Sequence, residues 1–216
     1  MADDTRTRLI AATGELFRRY GYNGTSLKQV TETADAPIGS LYHHFPGGKS
    51  DLTRVVLETA GAAYQELFEL IWDSHPDPGS AVETFFDAAA EVLKQTDFID
   101  PCPIGGVARE IASTDESLRE TADRVFDGWI DSAAMRLRDV GLPAAEAEEL
   151  AVTLVAAIEG GFLHARTSRN SDRLRMIGRQ QRRLVEQAVA AASVVGGNPR
   201  PDDEYRLDGE LRKTPS

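Results

Sequence analysis

The 216-residue chain has a single cysteine, Cys102, and therefore no internal disulfide framework. It also lacks a charged-then-apolar leader, so a cytoplasmic protein is expected. No run approaches the roughly 18–20 uninterrupted apolar residues that a membrane span needs. The most apolar stretch, residues 150–163, contains Glu159 and the pair Gly160-Gly161, and no membrane partner is expected. Alternating strand-like runs are missing between the turn signals, which makes the expected class all-α. His43 and His44 are adjacent, so on a helix they point about 100° apart, and no cysteine or carboxylate converges on them in the sequence. No metal and no other cofactor is expected. No nucleophile–base–orienter arrangement or phosphate-cradling loop is visible, which argues against an enzyme.

Positive charge is scarce too, with a net charge of −11, and nucleic-acid binding draws most of its affinity from Lys and Arg on phosphates. The deficit is uneven. Residues 1–56 hold seven Lys/Arg against six Asp/Glu, while residues 57–216 hold 17 against 29. The acidity belongs to the second part, and the first is free to approach a polyanion.

What is present is helical periodicity. Leu9, Ile10, Thr13, Leu16, Phe17 and Tyr20 share one face, and Gly21 follows as a left-handed stop, predicting a helix over 5–20. Ser26 opens the capping-box spacing Ser-Leu-Lys-Gln, in which Gln29 reaches back, and starts a second helix over 27–34. Asp35 and Ala36 make a tight connection. Pro37 suits the first position of a third helix, which runs to Phe45 and is ended by Pro46-Gly47-Gly48. Leu41 and Phe45, four apart, pack on Val30 and Phe17 and leave Gly39, Ser40, Tyr42 and His43 facing outward. Helices follow over 49–75, 79–96, 104–113, 116–141, 144–167 and 171–194, separated by Pro/Gly/Asn/Ser turn signals. Residues 196–216 are polar and proline-bearing, and read as a mobile tail.

Two short helices joined by a tight turn and braced by a longer one have helix-turn-helix geometry, in which the second helix enters the major groove. The run GYNGTSLKQVTETADAPIGSLYHHFPGGKSDL, residues 21–52, resembles the TetR family of transcriptional regulators through most of that motif, with Leu41-Tyr42-His43-His44-Phe45 as its most specific part. The interval from Phe45 to Lys49 is one residue longer than is usual in the family, and looks like the LmrA/YxaF-type subgroup. The resemblance implies an all-α protein with a three-helix DNA-binding head (1–48), a larger helical-bundle domain for effector binding and dimerisation (49–195) and the tail. It places Pro37, Ile38, Gly39, Ser40 and Tyr42 nearest the base edges, with Ser40 the best hydrogen-bonding candidate. Thr25, Tyr42, His43, His44 and Lys49 match positions that hold phosphates, and Ser26 with Thr25 sits at a helix N-terminus that favours anions. Ile38 departs from the family's frequent basic or hydroxyl residue. It cannot make a bidentate guanine contact but can touch a thymine methyl.

For the acidic second part the resemblance implies a small-molecule effector and a homodimer, with operator double-stranded DNA as the third partner. An aromatic lining with a few polar groups is the expected form of a ligand site, and the candidates are Phe68, Trp72, Phe85, Cys102, Phe126, Trp129, Glu159 and Phe162. Leu154, Ile158, Gly161, Ile177, Gln181, Leu184 and Ala188 recur on faces of the last two long helices that can pair across a two-fold axis. Together these features predict a ligand-responsive regulator, most simply a repressor released by a lipophilic or aromatic molecule. Two alternatives stay open: a redox or electrophile sensor acting through Cys102, which begins a helix whose amides can lower a thiol pKa, and a ligand-binding module that no longer reads DNA.

Overall fold

A computed structural model describes residues 2–99 and 102–196. Among these residues there are nine helices and no strand: α1 (Ala2–Tyr20), α2 (Leu27–Thr33), α3 (Ile38–His44), α4 (Lys49–Asp73), α5 (Pro78–Gln95), α6 (Pro103–Ile111), α7 (Glu116–Asp139), α8 (Ala144–Ser168) and α9 (Asp172–Gly196). None of them is long and apolar enough to cross a membrane. The tail expected from residue 196 lies outside the described residues, apart from Gly196, which closes α9.

The head is built on one apolar knot. Leu9, Leu16 and Phe17 of α1 are buried with Val30 of α2, Leu41 of α3 and Phe45 beyond it. The capping box at Ser26 is complete: Gln29 N–H donates to Ser26 Oγ at 3.2 Å, and Ser26 N–H donates to Gln29 Oε1 at 2.8 Å. The turn from α2 to α3 is a Schellman closure, in which Ala36 N–H donates to Thr31 O and Asp35 N–H to Glu32 O. Asp35 occupies the left-handed position, φ 46°, where glycine is usual. Arg8 of α1 ties this turn down by donating to Ala34 O at 2.7 Å and Asp35 O at 2.9 Å. Pro37 is the N-cap of α3 in extended backbone, one residue outside the first helical turn where the spacing had placed it. Its carbonyl accepts from the Ser40 and Leu41 amides.

From α4 onward the helices form a bundle. α5 and α9 run antiparallel, with Glu83 against Arg182 (2.8 Å) and Glu91 against Arg175 (3.3 Å) at successive levels. α4 and α7 pack where Gly61 meets Val125, and Trp129 Nε1–H donates to Gly61 O at 2.8 Å. α8 lies against α9 at Gly161, whose missing side chain leaves room for Leu174 and Ile177. One apolar core runs from α1 through to α9.

Candidate functional sites

The first site is the outer face of α3. Leu41 and Phe45 point inward and are buried, so the positions between them turn out. Ile38 is 50% exposed and Tyr42 51%, and Pro37, Gly39 and His43 are exposed beside them. Ser40 and His44 are half-buried. A β-carbon added at Gly39 would meet nothing within 4 Å. The chain's own packing therefore gives no reason for glycine there, although it costs about 1 kcal/mol against alanine in a helix.

Behind this face a small polar knot fastens the head to the body. Glu110, on α6, accepts from the Tyr22 amide at 3.2 Å and the Asn23 amide at 2.7 Å. Lys49, the first residue of α4, donates from Nζ to Tyr22 O at 2.6 Å, and its ammonium lies 4.1 Å from the centre of the Tyr22 ring. Burial pushes the Lys49 pKa down, and the Glu110 carboxylate opposes that shift. Burial raises the Tyr22 phenol, helped by Asp115. The loop between α1 and α2 is thus held by one carboxylate and one ammonium from two different body helices.

The second site is a cavity in the bundle, with a volume of about 60 Å³. Aromatic rings dominate its wall: Tyr64 and Phe68 from α4, Phe85 and Phe86 from α5, Trp129 from α7 and Phe162 from α8. Leu154, Val155 and Ile158 of α8, with Val82 of α5 and Ala133 of α7, complete the apolar lining, and its polar groups come from Gln65, Ser132 and Glu159. Gln65 and Ser132 are oriented from behind by Glu69, whose Oε1 accepts from Gln65 Nε2 at 3.0 Å and Ser132 Oγ at 2.8 Å. These bonds, with Arg136 beyond them, hold the Glu69 carboxyl below its usual range. Glu159 stands at the α6 end, its Oε2 lying where a β-carbon of Gly105 would be.

Comparison with known proteins bears on both sites. Residues 9–56 match the family model described as bacterial regulatory proteins, tetR family, and residues 78–180 match the transcriptional regulator LmrA/YxaF-like C-terminal domain. The HTH-type transcriptional regulator YxaF of Bacillus subtilis is 32% identical over 82% of this chain and 93% of its own length. LmrA of the same organism is 31% identical over 78% and 89%. The chain belongs to the TetR family of transcriptional regulators. The fold agrees: regulatory protein TetR from Rhodobacter sphaeroides superposes with a TM-score of 0.73 at 22% identity, covering 82% of this chain and 96% of that one.

On this TetR-family scaffold the residues expected at the two sites divide. Pro37, Ile38, Gly39, Ser40, Tyr42, His43 and His44 share α3 and its approach, and Ser26 is exposed at the start of α2. Thr25 and Lys49 do not join them. The Thr25 side chain is buried and donates to Gly21 O at 2.8 Å, and the Lys49 ammonium is turned onto Tyr22. Of the cavity candidates, Phe68, Phe85, Trp129, Glu159 and Phe162 line the space. Trp72 and Phe126 stand one layer back, with ring centres 5.8 Å from Phe68 and 5.5 Å from Trp129. Cys102 is 1% exposed and contributes nothing to the lining.

The residues expected at the dimer face fall into two groups. Leu154, Ile158, Gly161 and Gln181 are buried within the single chain, the first two against the cavity and Gly161 against α9. Ile177, Leu184 and Ala188 are half-buried, and the exposed large apolar groups on these helices are Val152, Leu163, Met176 and Val194. Sequence reasoning also passed over Tyr64 and Gln65, which lie one helical turn before Phe68 on α4. That spacing is a readable signal. Glu110 gave no such signal, since its partners are backbone amides almost 90 residues away in sequence (|i−j| 88 and 87).

Proposed function

We propose that the chain is a homodimeric operator-binding repressor, released from DNA when a small lipophilic molecule occupies the cavity among α4, α5, α7 and α8. The observation that carries the DNA half of this reading is the outer face of α3, where Ile38 and Tyr42 are exposed and Gly39 is left open. A helix that close to a groove wall gains from having no side chain at its nearest point. Pro37, Ile38, Gly39, Ser40 and Tyr42 face the base edges in this proposal, with Ser40 donating or accepting and Ile38 against a thymine methyl. Ser26, His43 and His44 lie toward the phosphates. Two heads spaced about one turn of DNA, roughly 34 Å, read successive major grooves. The dimer forms through the outer sides of α8 and α9, which carry Val152, Leu163, Met176, Leu184 and Ala188.

Ligand and DNA communicate through α6 in this proposal. One end of that helix touches the cavity carboxylate at Gly105, and Glu110 near its other end grips the Tyr22-Asn23 amides of the head. A cavity widened by ligand moves α6 and with it the loop that sets the angle of α3. The two binding events are then thermodynamically reciprocal. Burial of Cys102 weighs against the thiol-sensor alternative, because a reactive thiol must be reached from solvent.

A mobility-shift titration on the DNA upstream of the chain's own coding region tests this reading. The wild type retards a specific fragment, and Ser40→Ala and Tyr42→Ala each weaken it about tenfold or more with unchanged helical content. With Lys49 and Thr25 turned inward, the salt dependence stays well below the log–log slope of about −10 known for lac repressor. Retention that is identical in all three proteins removes α3 from the interface.

A further inference from the structure

We propose that Arg8 is a positioning residue for operator recognition: from α1 it fixes the turn between α2 and α3, and so sets the angle at which α3 presents Ile38, Ser40 and Tyr42, without touching DNA itself. This rests on α3 being the helix that reads the operator. α3 is seven residues long and buries one side chain of its own, Leu41, with Phe45 just beyond it. Those two lie four apart on a single row, so they pin the helix along one line and do not by themselves prevent a roll about it. A third point of attachment is needed, and it lies at the turn. Arg8 Nη1 donates to Ala34 O at 2.7 Å and to Asp35 O at 2.9 Å.

The turn has reason to need such a tie. Its own backbone bonds run from the amides of Ala34, Asp35 and Ala36 back onto Val30, Glu32 and Thr31 of α2, and leave the carbonyls of Ala34 and Asp35 to other donors. The last oxygens of a helix lack amide partners and attract a cation. Asp35 is also held at φ 46°, a left-handed conformation that costs a residue with a side chain more than it costs glycine. Without the guanidinium, two carbonyls and a strained residue would stand between the helices with nothing from α1 to hold them. Arg8 is itself set in place: Leu9 beside it is fully buried, Nη2 donates to Thr5 Oγ1 at 3.4 Å, and Nε lies 3.5 Å from Asp4 Oδ2. Its planar fork is presented to the turn from a fixed base.

Anisotropy titrations of the full chain against the fragment retained from its upstream DNA and a random-sequence duplex of equal length, over a range of salt, separate positioning from contact. Arg8→Met keeps the aliphatic stem and removes the fork. It binds the retained fragment about tenfold or more weaker than the wild type. Its affinity for the random duplex stays within about twofold and its salt slope is unchanged, because both report phosphate contacts. A variant that is merely less stable loses active protein on both duplexes alike, so the ratio of the two affinities decides. Arg8→Lys, a cation without the fork, gives a ratio between the two. Where Arg8→Met does not fold, the fall of the Arg8→Lys ratio below that of the wild type decides instead. An unchanged ratio overturns the proposal. So does equal weakening on both duplexes with a salt slope reduced by about one, which makes Arg8 a phosphate contact. A wild type that does not distinguish the duplexes removes the operator reading and the role of Arg8 with it, as does discrimination that Ser40→Ala and Tyr42→Ala leave intact. Discrimination lost in those two variants and kept in Arg8→Met removes Arg8 alone.

Discussion

Gly39 of α3 and Gly161 of α8 both lie inside helices, and an added methyl would meet opposite surroundings. At Gly161 it would run into Leu174 and come within 3.4 Å of Ile177 Cδ1, whereas at Gly39 it would meet nothing within 4 Å. One glycine is required by the chain's own packing. The other is not. The same division separates the two helices as wholes: α8 turns Leu154, Ile158 and Phe162 into its own subunit, and α3 hides Leu41 while leaving Ile38 and Tyr42 in solvent.

The largest effect separating the two is expected from Gly161→Val. Overpacking against Leu174 costs about 1–3 kcal/mol, to which β-branching in a helix adds a little. A fall in the urea midpoint with an unchanged m-value shows it, and unaltered stability would mean that α8 and α9 are not in close contact at this level. Next comes Glu110→Ala, which strips the acceptor from the Tyr22 and Asn23 amides. Leaving such donors without a partner costs about 1–3 kcal/mol when they are buried, and about the lower end here because Asn23 is exposed. Faster amide hydrogen exchange confined to residues 21–25 is the diagnostic readout. Glu110→Gln, which keeps one acceptor, restores part of the protection. If the operator and ligand remain fully coupled in Glu110→Ala, α6 is not their link.

Much of the contrast between head and body was legible in the residues themselves. Helix ends are written by local chemistry: Ser26 and Gln29 close the capping box, Pro46-Gly47-Gly48 stops α3, and eight of the nine described helices begin and end within two residues of where such signals put them. The outward turn of α3 followed from the spacing of Leu41 and Phe45. What spacing cannot express is which neighbour an apolar stripe meets. Leu154, Ile158 and Gly161 form the same pattern whether they face a second subunit or a cavity, and only the tertiary course of α4, α5 and α9 decides. The acceptor of Lys49 was hidden for a related reason. A lysine beginning a helix after a DNA-facing turn looks solvated, and nothing nearby in sequence announces Tyr22 O as its acceptor.

Gly39→Ala comes third and carries the opposite sign for stability. Replacing an exposed helical glycine raises it by up to about 1 kcal/mol, because the new methyl has open space. Affinity for the operator falls at the same time. A variant that becomes more stable and binds DNA as well as before would leave this glycine without a function.

The smallest effect is an acid response that belongs to the body. Gln65 and Ser132, followed by Arg136, hold the Glu69 carboxyl below its ordinary value of 4.5. A carboxylate lowered by folding adds stability that is fully present above pH 4.5 and is lost as pH falls through the depressed value. Its partners line the cavity, so protonation releases the amide and hydroxyl that shape the wall. The head's shifted groups, Lys49 and Tyr22, lie at the alkaline end and oppose each other. The lowered Lys49 gains stability as pH rises toward 10.5, and the raised Tyr22 loses it above 10. Urea midpoints of the wild type and Glu69→Gln therefore differ near neutrality and converge below pH 4.5. A constant difference across that range would show that the carboxylate's charge does not contribute, and that Gln65 and Ser132 are held by packing alone.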